Sequence, residues 1–311
     1  MSGKGWSVGR VAEVAGFARA ATRGRDERIS AHVLVDPEAP RQLVLAVREA
    51  LMPVRPTSEV VVCPLEGAVP GAELPDVAIA LVTSRSDTVA ICAYARAGVP
   101  VALVVEGALE APALSLEEGP AALVGVVAAS SPEALPDKLA AWLAASTDKE
   151  LALAANFPFC RRAVVDRLVA RCAVENAVVG AIHLIPGSDL PVMTAKQVKL
   201  ALDVAAAYGR PIEPSRAAEV LGVVGAGLGW RAVARALLGA VPGLGTVLRA
   251  GVAYAGTMMT GSALRLRFEA PGAPASPDVD GRVAPAAPVL AGAPRADAPD
   301  DGYVTVGGGC R

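Results

Sequence analysis

"VVGAGLGWRAVARAL", residues Val223 to Leu237, supports two readings that lead to different folds. As strand, glycine turn and helix it outlines a dinucleotide-binding loop. As helix throughout, its glycines let two backbones approach each other. The dinucleotide motif needs G-x-G-x-x-G after a strand, with an acidic residue about twenty positions later to hold the ribose. Here Gly225, Gly227 and Gly229 stand as G-x-G-x-G, and Trp230 occupies the place of the last glycine. No Asp or Glu occurs from Trp230 to Leu266, and the preceding "SRAAEVLGVV" is Ala-rich, with Ser215 placed to cap a helix. Gly225 and Gly229 then form a small-x-x-x-small stripe, with Gly222 near the same face, suited to close helix packing.

Downstream, "ALLGAVPGLGTVLRAGVAYAGTMMTGSALRLRFE" continues the apolar, glycine-rich pattern. Pro242-Gly243, followed by Gly245, breaks it into a hairpin of two helices. Gly251, Ala255, Gly256 and Gly261 offer further small surfaces. Arg231, Arg235, Arg249 and Arg265 divide the region, leaving Ala236–Leu248 and Ala250–Leu264 as its longest apolar pieces. Both fall short of the roughly 20 residues of a transmembrane helix. A packed bundle or peripheral attachment is the favoured expectation, with hairpin insertion as the alternative.

Upstream, Thr147 with Glu150 and Thr194 with Gln197 read as capping boxes opening helices. "CRRAVVDRLVARCAVENAVVGAIHLI" places Val164, Leu168 and Cys172 on one stripe, with Val165 and Val169 beside it. Arg161, Arg162, Arg167 and Arg171 take the other side, as a solvated face or an acidic-lipid or partner site. "PGSDLP" reads as a loop, and Gly209 as the stop of the helix "AKQVKLALDVAAAYG".

The front half alternates differently. "HVLV" (32–35), "EVVVC" (59–63), "VAIALVT" (77–83), "VPVALVV" (99–105) and "AALVGVV" (121–127) are apolar runs separated by helical patterns. Among the helices, "SDTVAICAYARAG" has Ser86 as N-cap and Gly98 as stop. Strands apolar on both faces, alternating with helices, predict a mostly parallel sheet covered by helices. The order and spacing resemble a small GTPase domain, beside which an unrelated flavodoxin-like α/β domain stays open. A P-loop needs G-x-x-x-x-G-K-[ST] after the first strand, its N–H groups cradling phosphates. "DPEAPRQL" stands there instead, with Asp36 and Arg41 at the glycine positions and Gln42 and Leu43 in place of Lys and Ser/Thr. After Val105, "EGAL" replaces the guanine-reading Asn-Lys-x-Asp.

From Met193 to Glu269 the layout resembles a bacterial family of GTPase-associated helical domains, the YcjF-like domains of unknown function. The likeness lies in a helix ending in "AAAYG", the paired "AAEVLGVVGAGLGWR", then "RALLGAVPGLGTVL" and "AYAGTMMTGSAL". It implies a module that follows a GTPase domain or occurs in membrane-associated proteins. The family has no established biochemical activity, so the likeness supplies no mechanism.

Composition agrees with a packing protein. The chain has 311 residues, 53% hydrophobic but only 4% aromatic, so its core is built from Ala, Val and Leu. Charged residues are 19%, below the roughly 25% of soluble domains. A net charge of −2 argues against nucleic acid as a partner. Cys63, Cys92, Cys160, Cys172 and Cys310 form no C-x-x-C pair, and His32 and His183 are the only histidines. A zinc site is therefore not expected, and the thiols read as buried in a reducing cytoplasm. Residues 7–21 form a short amphipathic helix with Val8, Val11, Val14 and Phe17, expected to pack on the next domain. Its basic flank, Arg19, Arg23, Arg25 and Arg28, suits anionic lipid as the alternative.

The expected organisation is an N-terminal helix (1–30), a degenerate GTPase-like α/β domain (31–146), a helical YcjF-like domain (147–269) and a disordered Pro/Ala/Gly-rich tail (270–311). No catalytic constellation, cofactor site or metal site emerges. The candidate functional residues are those of helix packing and the hairpin: Gly225, Gly229, Trp230, Pro242, Gly243, Gly245, Gly256 and Gly261. The expected function is a non-catalytic adaptor or regulator that self-associates or binds a protein partner. Its expected place is the cytoplasm, peripheral to or hairpin-inserted at the inner face of the cell membrane. A nucleotide- or dinucleotide-binding enzyme and a membrane-inserted structural protein are the alternatives.

Overall fold

The computed structural model of the chain describes residues 8–182, 189–212 and 245–269. These fall into two compact units, one from Glu27 to Ala163, the other made of the residues up to Asp26 and those from Val164 onward.

The first unit is a five-stranded sheet with flanking helices. Its strands are β1 (Ile29–Val35), β2 (Ser58–Pro64), β3 (Val77–Leu81), β4 (Val101–Val105) and β5 (Val124–Ala128). Every pairing is parallel and the order is β2-β1-β3-β4-β5. This is the flavodoxin-like order of a doubly wound sheet. All five residues of β3 and of β4 are buried, because central strands covered on both faces need apolar side chains at every position. The helices are α2 (Arg41–Ala50), α3 (Val89–Arg96), α4 (Glu118–Ala121), α5 (Leu135–Ser146) and α6 (Glu150–Asn156), with α1 (Val8–Asp26) in the other unit.

One face of the sheet buries Leu34, Ala80, Leu103 and Val105 against Ile91 and Tyr94 of α3. On α2, Leu43 and Val47 turn inward, and they are joined by Leu139 and Leu143 of the neighbouring α5. Gly98, at φ +87°, stops α3 as expected. Ser86 does not cap that helix. It lies three residues before Val89, and its Oγ accepts from the Thr83 N–H at 2.8 Å, while Asp87 Oδ1 accepts from the Val89 N–H at 3.1 Å.

The α/β unit also takes in α6 and the 3-10 turn Pro158–Cys160. Asn156, fully buried, accounts for this. Its carbonyl accepts from the Val54 N–H, its Oδ1 from Thr57 Oγ1 at 3.0 Å, and its Nδ2 donates to the Ala152 carbonyl. Thr147 opens no capping box, since its Oγ1 accepts from the Lys149 N–H and the helix begins after Lys149.

The second unit contains α1, α7 (Arg161–Ile182, from Val164 on), α8 (Asp189–Ala207) and α9 (Gly245–Glu269). Val164, Val165, Leu168, Val169 and Cys172 of α7 are all buried, as their spacing predicts. α7 runs antiparallel to α9, with Asp166 beside Arg265 at 2.9 Å and Asn176 beside Thr257 at 2.9 Å. It also runs antiparallel to α8, with Glu175 on Lys196 at 2.6 Å. α8 and α9 therefore run in the same sense, and their carboxyl ends meet where Tyr208 stacks on Phe268 and donates to Glu269. α1 packs along α8, and Arg25 donates to the Arg210 carbonyl at 2.9 Å. This helix thus joins the helical unit rather than the α/β unit that follows it in sequence. Asp189–Pro191 are helical rather than loop, so Thr194 lies inside α8 and caps nothing. Gly209 ends α8 at φ +69°, with its N–H on Ala206 and the Arg210 N–H on Ala205.

Candidate functional site

In a doubly wound sheet, ligands enter beyond the carboxyl ends of the strands, where the strand order reverses. Here that point lies between β1 and β3, and it is formed by the loop after Val35, the loop after Leu81 and Glu106 beyond β4. The loop after β1 is closed on itself. The Asp36 N–H donates to the Leu81 carbonyl, the Ala39 N–H to the Asp36 carbonyl, and the Glu38 N–H to Asp36 Oδ1 at 2.7 Å. Pro37 and Pro40 have no N–H to offer, and Pro40 precedes α2 without a side-chain cap. The N–H groups of the turn itself, those of Asp36, Glu38 and Ala39, are thus already bonded. Asp36, only 9% exposed, places a carboxylate at its centre. Gln42, where a P-loop lysine would stand, donates to Glu106 Oε1 at 2.9 Å. The loop after β3 likewise closes through Thr83 and Ser86.

The second chemically distinctive place is a polar seam inside the helical unit. Asn176 of α7 and Thr257 of α9 are both fully buried. Asn176 Nδ2 donates to Thr257 Oγ1, which donates onward to the Ala253 carbonyl at 2.8 Å. Asn176 Nδ2 also lies 3.5 Å from Cys172 Sγ, one turn back. Its Oδ1 is buried without a hydrogen-bond partner. Thr260 Oγ1 donates to the Gly256 carbonyl, which keeps another buried hydroxyl within its own helix. Next to the seam a surface groove of about 240 Å³ is lined by Asp166, Val169, Met258, Gly261, Ser262 and Arg265. That is smaller than the roughly 300–1,000 Å³ of ordinary ligand pockets.

Of the residues singled out in the sequence, Gly225, Gly229, Trp230, Pro242 and Gly243 lie outside the described residues. Gly245 is the first residue of α9. Gly256 and Gly261 are buried on one face of that helix, whereas Gly251 and Ala255 face solvent. A Cβ built on Gly261 would lie 2.3 Å from Val169 Cγ2. The arginines Arg162, Arg167 and Arg171 are exposed. On the basic N-terminal flank, Arg19 donates to the Ala15 carbonyl, Arg25 pairs with Asp26 and Arg28 pairs with Glu59.

The seam itself was not read from the sequence. Its signal was available, since Asn176 falls at i+4 from Cys172 on the apolar stripe of α7. Cys63, Cys92, Cys160 and Cys172 are buried and in no disulfide, and burial pushes the Cys160 thiol well above its ordinary range. His32 sits edge-on to Tyr94, with Nδ1 2.8 Å from the phenol oxygen, and burial lowers its pKa. Among the described residues no three His, Cys, Asp or Glu side chains converge as metal ligands, and no helix is long and apolar enough to cross a membrane. Comparison with protein-family models, curated proteins and solved structures finds no match.

Proposed function

We propose that the chain is a non-catalytic adaptor or regulator, in which an α/β domain without a nucleotide site is joined to a helical module for association. The observation that carries this reading is the turn from Asp36 to Ala39, whose N–H groups are already bonded and whose carboxylate would repel a phosphate. Gln42, a neutral amide bonded to the Glu106 carboxylate, stands where a nucleotide enzyme needs a free cation. The flavodoxin-like order of the sheet is compatible with the reading, since a fold does not by itself imply an activity.

In this reading the helical module is YcjF-like, a GTPase-associated bundle that self-associates or meets a protein partner close to the membrane's inner face. The apolar hairpin at Pro242-Gly243 and the disordered tail from Ala270 belong to this proposal and lie outside the described residues.

The test is direct. Purified protein should hydrolyse GTP and ATP no faster than a heat-killed control, and GTP, ATP, NAD and FAD should leave its melting temperature unchanged. Hydrolysis above that control refutes the adaptor reading. Fractionation of the full chain beside a version ending before Met193 tests the module, with membrane recovery expected to fall in the shorter chain.

A further inference from the structure

We propose that the free edge of β2 pairs antiparallel with the same edge of a second copy of this chain, about a twofold axis at Val61. This deepens the adaptor reading and rests on it only in taking self-association as the purpose.

Among the described residues β2 ends the sheet and pairs with β1 alone. The ladder is bracketed by the Ile29 N–H on the Thr57 carbonyl and the Leu65 N–H on the Val35 carbonyl. By alternation, Glu59, Val61 and Cys63 turn their backbone polar groups toward β1, while Ser58, Val60, Val62 and Pro64 turn theirs outward. Pro64, which has no N–H, occupies an outward place, where an edge tolerates it. The edge "SEVVVCP" contains no lysine, although charge of that kind is a usual protection against edge pairing.

The sequence of this edge is self-complementary. Centred on Val61, Val60 of one copy faces Val62 of the other in both directions, and each such pair exchanges two N–H to carbonyl bonds. Val62 is 41% exposed and Val60 half-buried, so apolar surface meets apolar surface. Val61 meets Val61, a favourable β-branched cross-strand pair. Glu59 falls opposite Cys63, and its charge is already offset by Arg28 of its own chain. Centring one register earlier in the strand, on Glu59, would set the two carboxylates face to face.

Sedimentation equilibrium of the full chain should show a concentration-dependent dimer. Val62→Lys should halve the mass over the same range, because each lysine faces Val60 of the second copy. The double variant Val60→Glu with Val62→Lys should restore the dimer and make it salt-sensitive. Val61→Cys, in a Cys310→Ser background, should cross-link between chains under mild oxidation. Antiparallel neighbours of this class are about 4.5 Å apart at Cα, within the reach of a disulfide. If Val62→Lys does not fold, the Val61→Cys result decides alone. A monomer at every concentration, a dimer that Val61→Cys fails to cross-link, or failure of the double variant to recover overturns the proposal. Nucleotide hydrolysis by a β2-linked dimer would remove the adaptor reading and leave this one standing, while a monomer inert toward nucleotides would do the reverse.

Discussion

Gly261 of α9 lies so close to Val169 of α7 that a methyl group added to it would overlap both Val169 γ-carbons, at 2.3 and 2.4 Å. The contact sits where the two antiparallel helices cross, between the Asp166–Arg265 pair and the Asn176–Thr257 bond. Val169 is β-branched and buried, so it has little rotamer freedom with which to yield. Gly261→Ala should therefore destabilise the helical unit by about 1–3 kcal/mol, as overpacking does. Gly251, with nothing within 4 Å of its built Cβ, provides the control. Gly251→Ala should be stabilising by about 0.5–1 kcal/mol through helix propensity alone. Urea denaturation followed by circular dichroism separates the two, and Val169→Ala should rescue Gly261→Ala.

The same reasoning applies to Gly125 of β5, where an added Cβ would fall 1.9 Å from the Trp142 indole nitrogen. The glycine allows the indole of α5 to lie against the strand. Gly125→Ala should lower the melting temperature of the α/β unit, and Gly125→Ala with Trp142→Leu should melt higher than Gly125→Ala alone. Equal melting of wild type and Gly125→Ala would show that the indole has room to move.

His32 gives the fold a pH dependence of definite sign. Burial lowers its folded pKa, and the Glu59 carboxylate opposes this only in part. In the unfolded chain it titrates near the ordinary 6.5. Above that pH the ring is neutral in both states and the full stability is present. As pH falls through about 6.5 the unfolded chain takes up the proton first, so stability declines until the folded pKa is reached. His32→Gln should flatten this part of the stability–pH curve. An unchanged curve in that variant would assign the dependence to another group.

Thiol reactivity follows burial. In the native protein Cys63, Cys92, Cys160 and Cys172 should react with Ellman's reagent far more slowly than after denaturation. Cys160 should be the slowest of the four, because it is fully buried and burial raises its thiol well above the ordinary range. Mass spectrometry after brief alkylation checks the order.

Asp36→Ala removes the acceptor that closes the turn after β1. It should cost about 1 kcal/mol, the usual worth of one such bond, and leave the response to nucleotides flat. A gain in nucleotide affinity would show that the carboxylate had been excluding a ligand from a competent crevice.

The sequence by itself determined the elements that depend on local pattern. Runs such as "VAIALVT" and "VPVALVV", apolar at successive positions, become β3 and β4 because only strands covered on both faces need such composition. Gly98 and Gly209 end their helices because a positive φ costs glycine nothing. The missing lysine and glycines after β1 were visible as letters. What only the tertiary structure decided depends on residues far apart in the chain. Ser86, Thr147 and Thr194 have the look of caps, yet none caps, since the helices start where packing of their apolar faces begins, and a single hydroxyl contributes too little to move that point. The strand order, the placing of α1 along α8, the pairing of Asn176 with Thr257 and the contact of Gly261 with Val169 all join segments that local spacing does not relate. They were settled by which buried surfaces fit together, and a one-dimensional pattern leaves that choice open.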